Sequence, residues 1–375
     1  MPATEAISST NPIRVMIVDD SAVIRGLTTR ILEADKEIQI VASVGNGKLA
    51  VSNLDRYDVD VVVLDIEMPV MDGLTALPLL LEIDPSVKIV ISSTLSLRNA
   101  NISIQALEAG ASDYLPKPTS TVDIHAEGGF RRELVEKVKA LGIARRSKIR
   151  PSPSPERKAG VAAAPAIVKP AAKDFTLRKP GLLPPKILAV GSSTGGPQAL
   201  LEFFKGLSPS INLPVVLTQH MPPTFTTIMA QHITKMTEWD CREGVDGEEL
   251  RSGVIYLAPG DNHMQVVKKG DSLVIELNQG PQENFCRPAV DPMLRSIVNI
   301  FGGKIITVIL TGMGADGHKG CVEVVNSGGT VIAQDETTSV VWGMPGAVAM
   351  DNICSAVLPL GELASHVENF ISKGR

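Results

Sequence analysis

The sequence predicts two α/β domains in series, and three observations lead there. Its 375 residues exceed what one hydrophobic core usually organises. Short β-rich runs alternate with helix-length segments from the start, the pattern of βα units built on a parallel sheet. The same rhythm resumes after a long Pro/Ala-rich interruption.

In the first domain, 13–146, the runs are 13–18 (IRVMIV), 38–43 (IQIVAS), 60–65 (DVVVLD), 87–92 (VKIVIS) and 112–116 (SDYLP), so a five-stranded parallel sheet is expected. A closing helix is expected over 128–146, where Phe130, Leu134, Val138 and Leu141 recur at helical spacing. Residues 147–181 are rich in Pro and Ala and carry Lys and Arg without a periodic apolar face. Such a segment cannot offset its ordering entropy by burial, so a flexible linker is expected. The second domain, 182–371, has β-rich runs at 186–191 (KILAVG), 214–219 (PVVLTQ), 254–258, 273–277 and 304–311 (KIITVILT). Helices are expected after Gly195, after Pro223, around 291–301 and after Gly314. The result is a doubly wound α/β domain with a short antiparallel insertion near 250–280, where GD and KKGDS mark turns.

Composition removes several functions. Aromatics are 3%, with two Trp and three Tyr, too few for platforms that stack bases, and the net charge of -5 argues against a phosphate-hugging surface. Nucleic acid is therefore not expected as a partner. Cys241, Cys286, Cys321 and Cys354 form no C-x-x-C pair and read as free thiols in a reducing compartment. The start, MPATEAISSTNPIR, lacks a basic stretch followed by an apolar run, and nothing approaches the ~20 apolar residues of a membrane span. A cytoplasmic chain without membrane insertion is expected.

Two sets of polar residues fall at strand ends. Asp19 and Asp20 follow the first run, Asp65 ends the third, Ser92 ends the fourth and Lys117 follows the fifth. In a parallel sheet these ends share one edge, so the three carboxylates converge and repel unless a hard cation such as Mg²⁺ joins them. Ser92 and Lys117 could then hold a phosphoryl group on Asp65. Any one of these aspartates alone reads better as a turn residue or helix cap; together, in order, they do not. With VDDS at 18–21, LDIEMPVMDG at 64–73 and the Lys117-Pro118 pair, the first domain resembles the flavodoxin-like receiver domain of response regulators. The resemblance implies phosphorylation at Asp65, Mg²⁺ on Asp19, Asp20 and Asp65, switch residues Ser92 and Tyr114, and a phosphoryl contact from Lys117.

The second set begins at Gly191-Ser192-Ser193-Thr194-Gly195, a G-x-S-x-G turn between a strand and a helix, the setting that exposes a nucleophilic serine. A phosphate-cradling loop is a weaker reading, since no G-K-[ST] follows. His220 ends the next run and Asp316 lies just past 304–311, giving a base and a carboxylate to orient it. The chain order Ser, His, Asp is not that of α/β-hydrolases. Among the other histidines, His125 lies outside the second domain, and His232 and His366 read as helix-surface residues. His263 and His318 remain open as bases on physical grounds, and Asp291 reads as the cap of its Pro292 helix. Asp261, Asp335 and Asp351 look like turn residues.

GSSTGGP at 191–197, TQHMPPTFT at 218–226, YLAPGDNHM at 256–264, RPAVDPM at 287–293 and LTGMGADG at 310–317 resemble the catalytic domain of chemotaxis protein-glutamate methylesterases. Ala315 stands where many relatives carry Asn. The resemblance implies Ser193 as nucleophile, His220 as general base and Asp316 as its orienting acid, with no cofactor for the ester reaction. Oxyanion donors are expected from Thr194, Gly195 and Gly196 and from the Gly312-Met313-Gly314 loop. It further implies methyl-accepting chemotaxis receptors as substrate, glutamine deamidation as a second activity, a chemotaxis histidine kinase as phosphodonor, a monomer, and inhibition by the unphosphorylated receiver. From a different class, a regulator whose output domain only binds a ligand or nucleotide is the alternative.

Overall fold

A computed structural model of the chain describes residues 11–94, 96–118, 129–149 and 175–373. Five parallel strands, β1 (Ile13–Val18), β2 (Ile38–Val44), β3 (Val61–Asp65), β4 (Lys88–Ser93) and β5 (Asp113–Pro116), form one sheet in the order β2-β1-β3-β4-β5. Between and after them run α1 (Ala22–Glu33), α2 (Gly47–Leu54), α3 (Gly73–Ile83), α4 (Leu97–Glu108) and α5 (Phe130–Ile149). The VVVLD run of β3 is buried at every position because both faces are covered. Alternate residues divide between two cores: Val62 and Leu64 face Leu77, Leu80 and Ile104, while Val61 and Val63 face Leu32, Leu134 and Val138. Ser21, Asn46, Asp72 and Ser96 each accept a hydrogen bond from the first turn of their helix, typically worth about 1 kcal/mol apiece.

Asp60, fully buried at the start of β3, fastens α5 to this sheet. Its carboxylate accepts from Arg14 Nε (3.2 Å), Arg145 Nη1 (2.7 Å) and Arg146 Nε (3.1 Å). Burial pushes its pKa up, but hydrogen bonds from Arg146 and Arg14 outweigh that and hold it at about 2, against 3.8 ordinarily. A carboxyl depressed in the folded state stabilises above its unfolded pKa, here by about 2 kcal/mol, and the contribution is lost as pH falls from about 4 to about 2. Asp60→Asn is expected to cost about 3 kcal/mol at pH 7 in urea denaturation, because it leaves buried guanidinium groups uncompensated. The difference from wild type should shrink toward pH 2; a constant difference would refute this role.

The second half holds a seven-stranded sheet whose pairings are all parallel. Its strands are β6 (Ile187–Ser192), β7 (Val215–Gln219), β8 (Asp240–Glu243), β9 (Val254–Leu257), β12 (Ile305–Ile309), β13 (Thr330–Gln334) and β14 (Ala356–Leu358), in the order β14-β13-β12-β6-β7-β9-β8. Strands β10 (His263–Lys269) and β11 (Ser272–Asn278) make the expected antiparallel insertion. The helices are α6 (Gly196–Gly206), α7 (Phe225–Met236), α8 (Val290–Phe301), α9 (His318–Asn326), α10 (Met344–Met350) and α11 (Leu360–Lys373). From β6 the chain moves to β7 on one side and reaches β12 on the other, so the topological switch point lies at the carboxyl end of β6, where α/β sheets open a crevice.

Several elements depart from the sequence reading. Strands β8, β13 and β14 and helix α10 were not anticipated, since their apolar runs are too short to display a period, and α11 was read only as a helix surface carrying His366. Helix α5 continues to Ile149, past the expected boundary at 146. Residues 175–181, expected as linker, lie on the second half: Arg178 N–H donates to Cys354 O (3.0 Å) and Gly181 N–H to Thr330 Oγ1 (2.9 Å). Residues 150–174 of the expected linker, and His125, lie outside the described residues. Among the described residues no helix is long and apolar enough to cross a membrane.

The two halves touch along α4, β5 and α5. Gln198 Nε2 donates to Ala111 O (2.6 Å) and to Leu107 O; Lys148 Nζ donates to Ser339 O (2.9 Å). Glu108 pairs with His232 (2.6 Å), and the rings of Tyr114 and Phe225 stack at 4.5 Å. Thr194 Oγ1 donates to the buried Asp113 Oδ2 (2.7 Å), a carboxylate that also meets Lys137 Nζ at 3.2 Å.

Candidate active site

The carboxyl ends of β1 and β3 bring Asp19, Asp20 and Asp65 together, with one oxygen of each within 4.8 Å of the others. Lys117, just past β5, reaches Asp19 Oδ2 (2.7 Å) and Asp65 Oδ2 (2.8 Å). Burial raises Asp65 to about 6; Lys117 works against this, and Asp19 adds to it. Ser92, paired in register with Asp65 on β4, is buried beside it, and Tyr114 on β5 is buried against Phe225. Asp19, Asp20, Asp65 and Lys117 thus meet at one sheet edge with Ser92 on the adjoining strand, whereas Tyr114 lines the cleft of the second half's site. Three hard carboxylate oxygen donors that repel one another, two of them buried, form a set suited to Mg²⁺.

At the switch point of the other sheet, Ser193 follows β6, His220 follows β7 and Asp316 stands in the loop between β12 and α9. Gly195 holds φ +75°, a left-handed conformation that lets the chain turn from β6 into α6. A Cβ on Gly196 would sit 1.9 Å from Gln219 Oε1, so the turn packs flush against the end of β7. His220 Nε2 lies 2.7 Å from Asp316 Oδ2. Asp316 also accepts from the N–H groups of Val290 (2.6 Å), Asp291 (3.2 Å) and Gly317 (2.9 Å), so it sits at the N-terminus of α8, where negative charge is favoured. Burial pushes Asp316 up, but His220 and these N–H groups hold it below the ordinary carboxylate range. For His220, burial is the largest influence and is overcome by Cys286 and Asp316, which raise it well above 6.5.

The competing histidines are otherwise engaged. His263 is buried and spends both nitrogens, Nε2 on Pro281 O (2.9 Å) and Nδ1 on Ala289 N–H (3.3 Å). His318 pairs with Asp351 (2.9 Å) and His232 with Glu108, while His366 rides on α11. Asp291 is not the cap of α8, a position held by Ala289; it accepts from Gly320 N–H (2.7 Å) and from Asn284 Nδ2 (3.1 Å), and burial raises its pKa. Asp261 pairs with Arg287 (2.6 Å). Of the expected oxyanion donors, Gly196 N–H is spent on Ser193 O (2.7 Å); those of Thr194, Gly195 and Met313 carry no hydrogen bond among the described residues.

Four residues escaped the sequence reading. Gln219 donates from Nε2 to Ser193 O (2.9 Å) and accepts from Ser192 Oγ (2.6 Å), fixing the turn against β7. Asn284 donates to Asp316 Oδ1 (2.9 Å). Cys286 Sγ lies 3.4 Å from His220 Nδ1. Arg132 of α5 covers the ring of Phe285 at 3.6 Å. All line or adjoin a cleft of about 1710 Å³ that Ser193 and His220 share with Asp113, Tyr114, Arg132 and Lys137 of the first half.

Two family models match the chain: the response regulator receiver domain over residues 15–127 and the CheB methylesterase over residues 188–367. A protein-glutamate methylesterase/protein-glutamine glutaminase of Azospirillum brasilense is 55% identical over 97% of this chain and 94% of its own length. The chain belongs to that family. A second protein-glutamate methylesterase/protein-glutamine glutaminase, from Paramagnetospirillum magneticum, is 56% identical over 95% of each chain. Among solved structures, the CheB methylesterase catalytic domain of Thermotoga maritima is 40% identical, covers 49% of this chain and 98% of its own, and has a TM-score of 0.48.

Proposed function

We propose that this chain hydrolyses glutamate methyl esters on methyl-accepting chemotaxis receptors and deamidates receptor glutamines, under control of phosphorylation at Asp65. The observation that carries the reading is His220 held 2.7 Å from a buried Asp316 caged by N–H donors, in one cleft with Ser193, at the switch point of a parallel sheet. Ser193 attacks the ester carbonyl as His220 takes its proton. The tetrahedral oxyanion accepts hydrogen bonds from Thr194, Gly195 and Met313 N–H. Methanol leaves with the proton from His220, and water, activated by the same histidine, releases the glutamate. Asp316 orients the imidazole and stabilises its charged form. An amide follows the same course, with ammonia leaving.

In the receiver, Asp19, Asp20 and Asp65 would hold Mg²⁺, which when bound offsets the charge of a phosphoryl group. Asp65 accepts that group from a chemotaxis histidine kinase, Lys117 pairs with its oxygens, and Ser92 and Tyr114 rearrange. The chain works in the cytoplasm as a monomer. Because α5 and β5 wall the cleft, the unphosphorylated receiver inhibits, and phosphorylation loosens it.

The test is methanol release from methylated receptor membranes, with and without acetyl phosphate. A fragment of residues 175–375 is expected to exceed the unphosphorylated full chain about 10-fold, and acetyl phosphate should raise the full chain toward the fragment. A fragment no faster than the full chain would exclude inhibition by the receiver. No methanol from either would exclude the ester reaction.

A further inference from the structure

We infer that Cys286 is a displaceable occupant of the base position on His220, and that the docked receiver keeps it there. This rests on the reading of Ser193 and His220 as nucleophile and base. Such a base needs one ring nitrogen for the carboxylate and the other for the serine hydroxyl. Here Nε2 faces Asp316 Oδ2 at 2.7 Å and Nδ1 faces Cys286 Sγ at 3.4 Å. Ser193 Oγ forms no hydrogen bond with either nitrogen. The thiol stands where the hydroxyl has to be.

Cys286 is delivered by a tight turn. Glu283 N–H donates to Cys286 O (3.1 Å) and Cys286 N–H to Glu283 O (2.9 Å), closing a two-residue hairpin over Asn284 and Phe285. Both central residues have positive φ, 51° and 63°. That backbone suits Asn followed by Gly; a phenylalanine at the second position is strained. A bulky residue kept where glycine would relax the chain points to a use for its side chain. The Phe285 ring lies under the guanidinium of Arg132, 3.6 Å from its centroid, although the residue is 66% exposed. Arg132 Nε and Nη1 are buried without a hydrogen-bond partner, and its nearest carboxylate among the described residues, Glu136 Oε1, is 3.7 Å away. The ring is therefore its main anchor, and one turn joins receiver, thiol and imidazole. When the receiver leaves, Arg132 no longer holds Phe285, the strained turn relaxes, and Nδ1 is freed for Ser193.

The experiment uses the full chain. Cys286→Ala is expected to raise kcat for methanol release by the unphosphorylated protein about 5-fold with KM unchanged, as a fraction of molecules gains a free base without undocking. Cys286→Ser should rise less, because a hydroxyl still bonds Nδ1, and Arg132→Ala should resemble Cys286→Ala. With acetyl phosphate, Cys286→Ala should match wild type within about twofold. An unphosphorylated kcat unchanged in both Cys286→Ala and Arg132→Ala overturns the inference; so does a large loss in phosphorylated Cys286→Ala, which would place the thiol in the chemistry itself. A second readout is independent of ester hydrolysis. Cys241, Cys321 and Cys354 are buried, so alkylation by iodoacetamide, located by mass spectrometry, reports Cys286. Its rate should rise with acetyl phosphate and in Arg132→Ala, and an unchanged rate overturns the inference. If Ser193→Ala kept wild-type methanol release, the nucleophile reading would fall, while the alkylation result would still decide whether the receiver seats Cys286.

Discussion

Ser193→Ala is expected to lower methanol release at least ~10⁴-fold, with phosphorylation of Asp65 by acetyl phosphate unaffected. The size follows from the absence of a substitute. Ser192 is buried, and its hydroxyl donates to Gln219 Oε1 at 2.6 Å, while Thr194 Oγ1 donates to Asp113 Oδ2 at 2.7 Å. Neither neighbour has a free hydroxyl on the cleft. Binding and the N–H donors of the turn survive the substitution, so a residue of catalysis above water remains. Single-turnover methanol release checks it. A loss smaller than ~10² would point to another nucleophile, with Cys286 the first to examine.

Asp316→Asn is expected to lower kcat on the order of 10³- to 10⁴-fold, although the side chains are nearly isosteric. Asp316 is acceptor to His220 Nε2, to three backbone N–H groups and to Asn284 Nδ2. An amide NH₂ in that cage faces donors, and the imidazole loses the anion that stabilises its protonated form. The pH profile carries the second half of the expectation. His220 sits well above 6.5 and acts as base only when neutral, so activity should climb with pH on an acid limb above 6.5. Removing the Asp316 charge should move that limb to lower pH even as kcat falls. Linkage runs the other way: a histidine raised in the folded state adds stability that is full below 6.5 and is lost as pH rises through its folded pKa, and Asp316→Asn should flatten that dependence. An unmoved limb would mean that a group other than His220 is the base.

The parts of this molecule legible in the sequence are those set by strand ends. The VVVLD run, apolar up to Asp65, alternates with helix-length segments like the runs on either side, and the parallel sheet this implies places Asp65 on the same edge as Asp19. The KILAVGSS run and the glycines after it likewise set Ser193 on a sharp turn. The TVIAQ strand and the AVL strand were missed because three to five apolar residues after Gly or Ser do not distinguish strand from loop. Asn284 and Cys286 lie in a segment with no period, brought to His220 by the hairpin that precedes α8. Its local signal was an Asn between Pro281 and Pro288, enough for a turn but silent about what the turn touches. Asp291 was misjudged for a related reason: an aspartate before a proline reads as a cap, yet the cap of α8 is Ala289, two residues earlier, and the Asp291 carboxylate serves Gly320.

The contact between the halves mixes two languages. Gln198 of the second half donates to the main-chain carbonyls of Leu107 and Ala111, which any receiver with this backbone would supply, and Lys148 of the receiver donates to the main-chain carbonyl of Ser339. Asp113 with Thr194, Glu108 with His232, Tyr114 with Phe225 and Arg132 with Phe285 read side chains instead. In a cell holding several proteins of this build, only the second language tells a domain's own companion from a stranger. Those four pairs act as an address. Each half keeps its own sheet, yet a change on one side of any of these pairs leaves its partner on the other side unmatched.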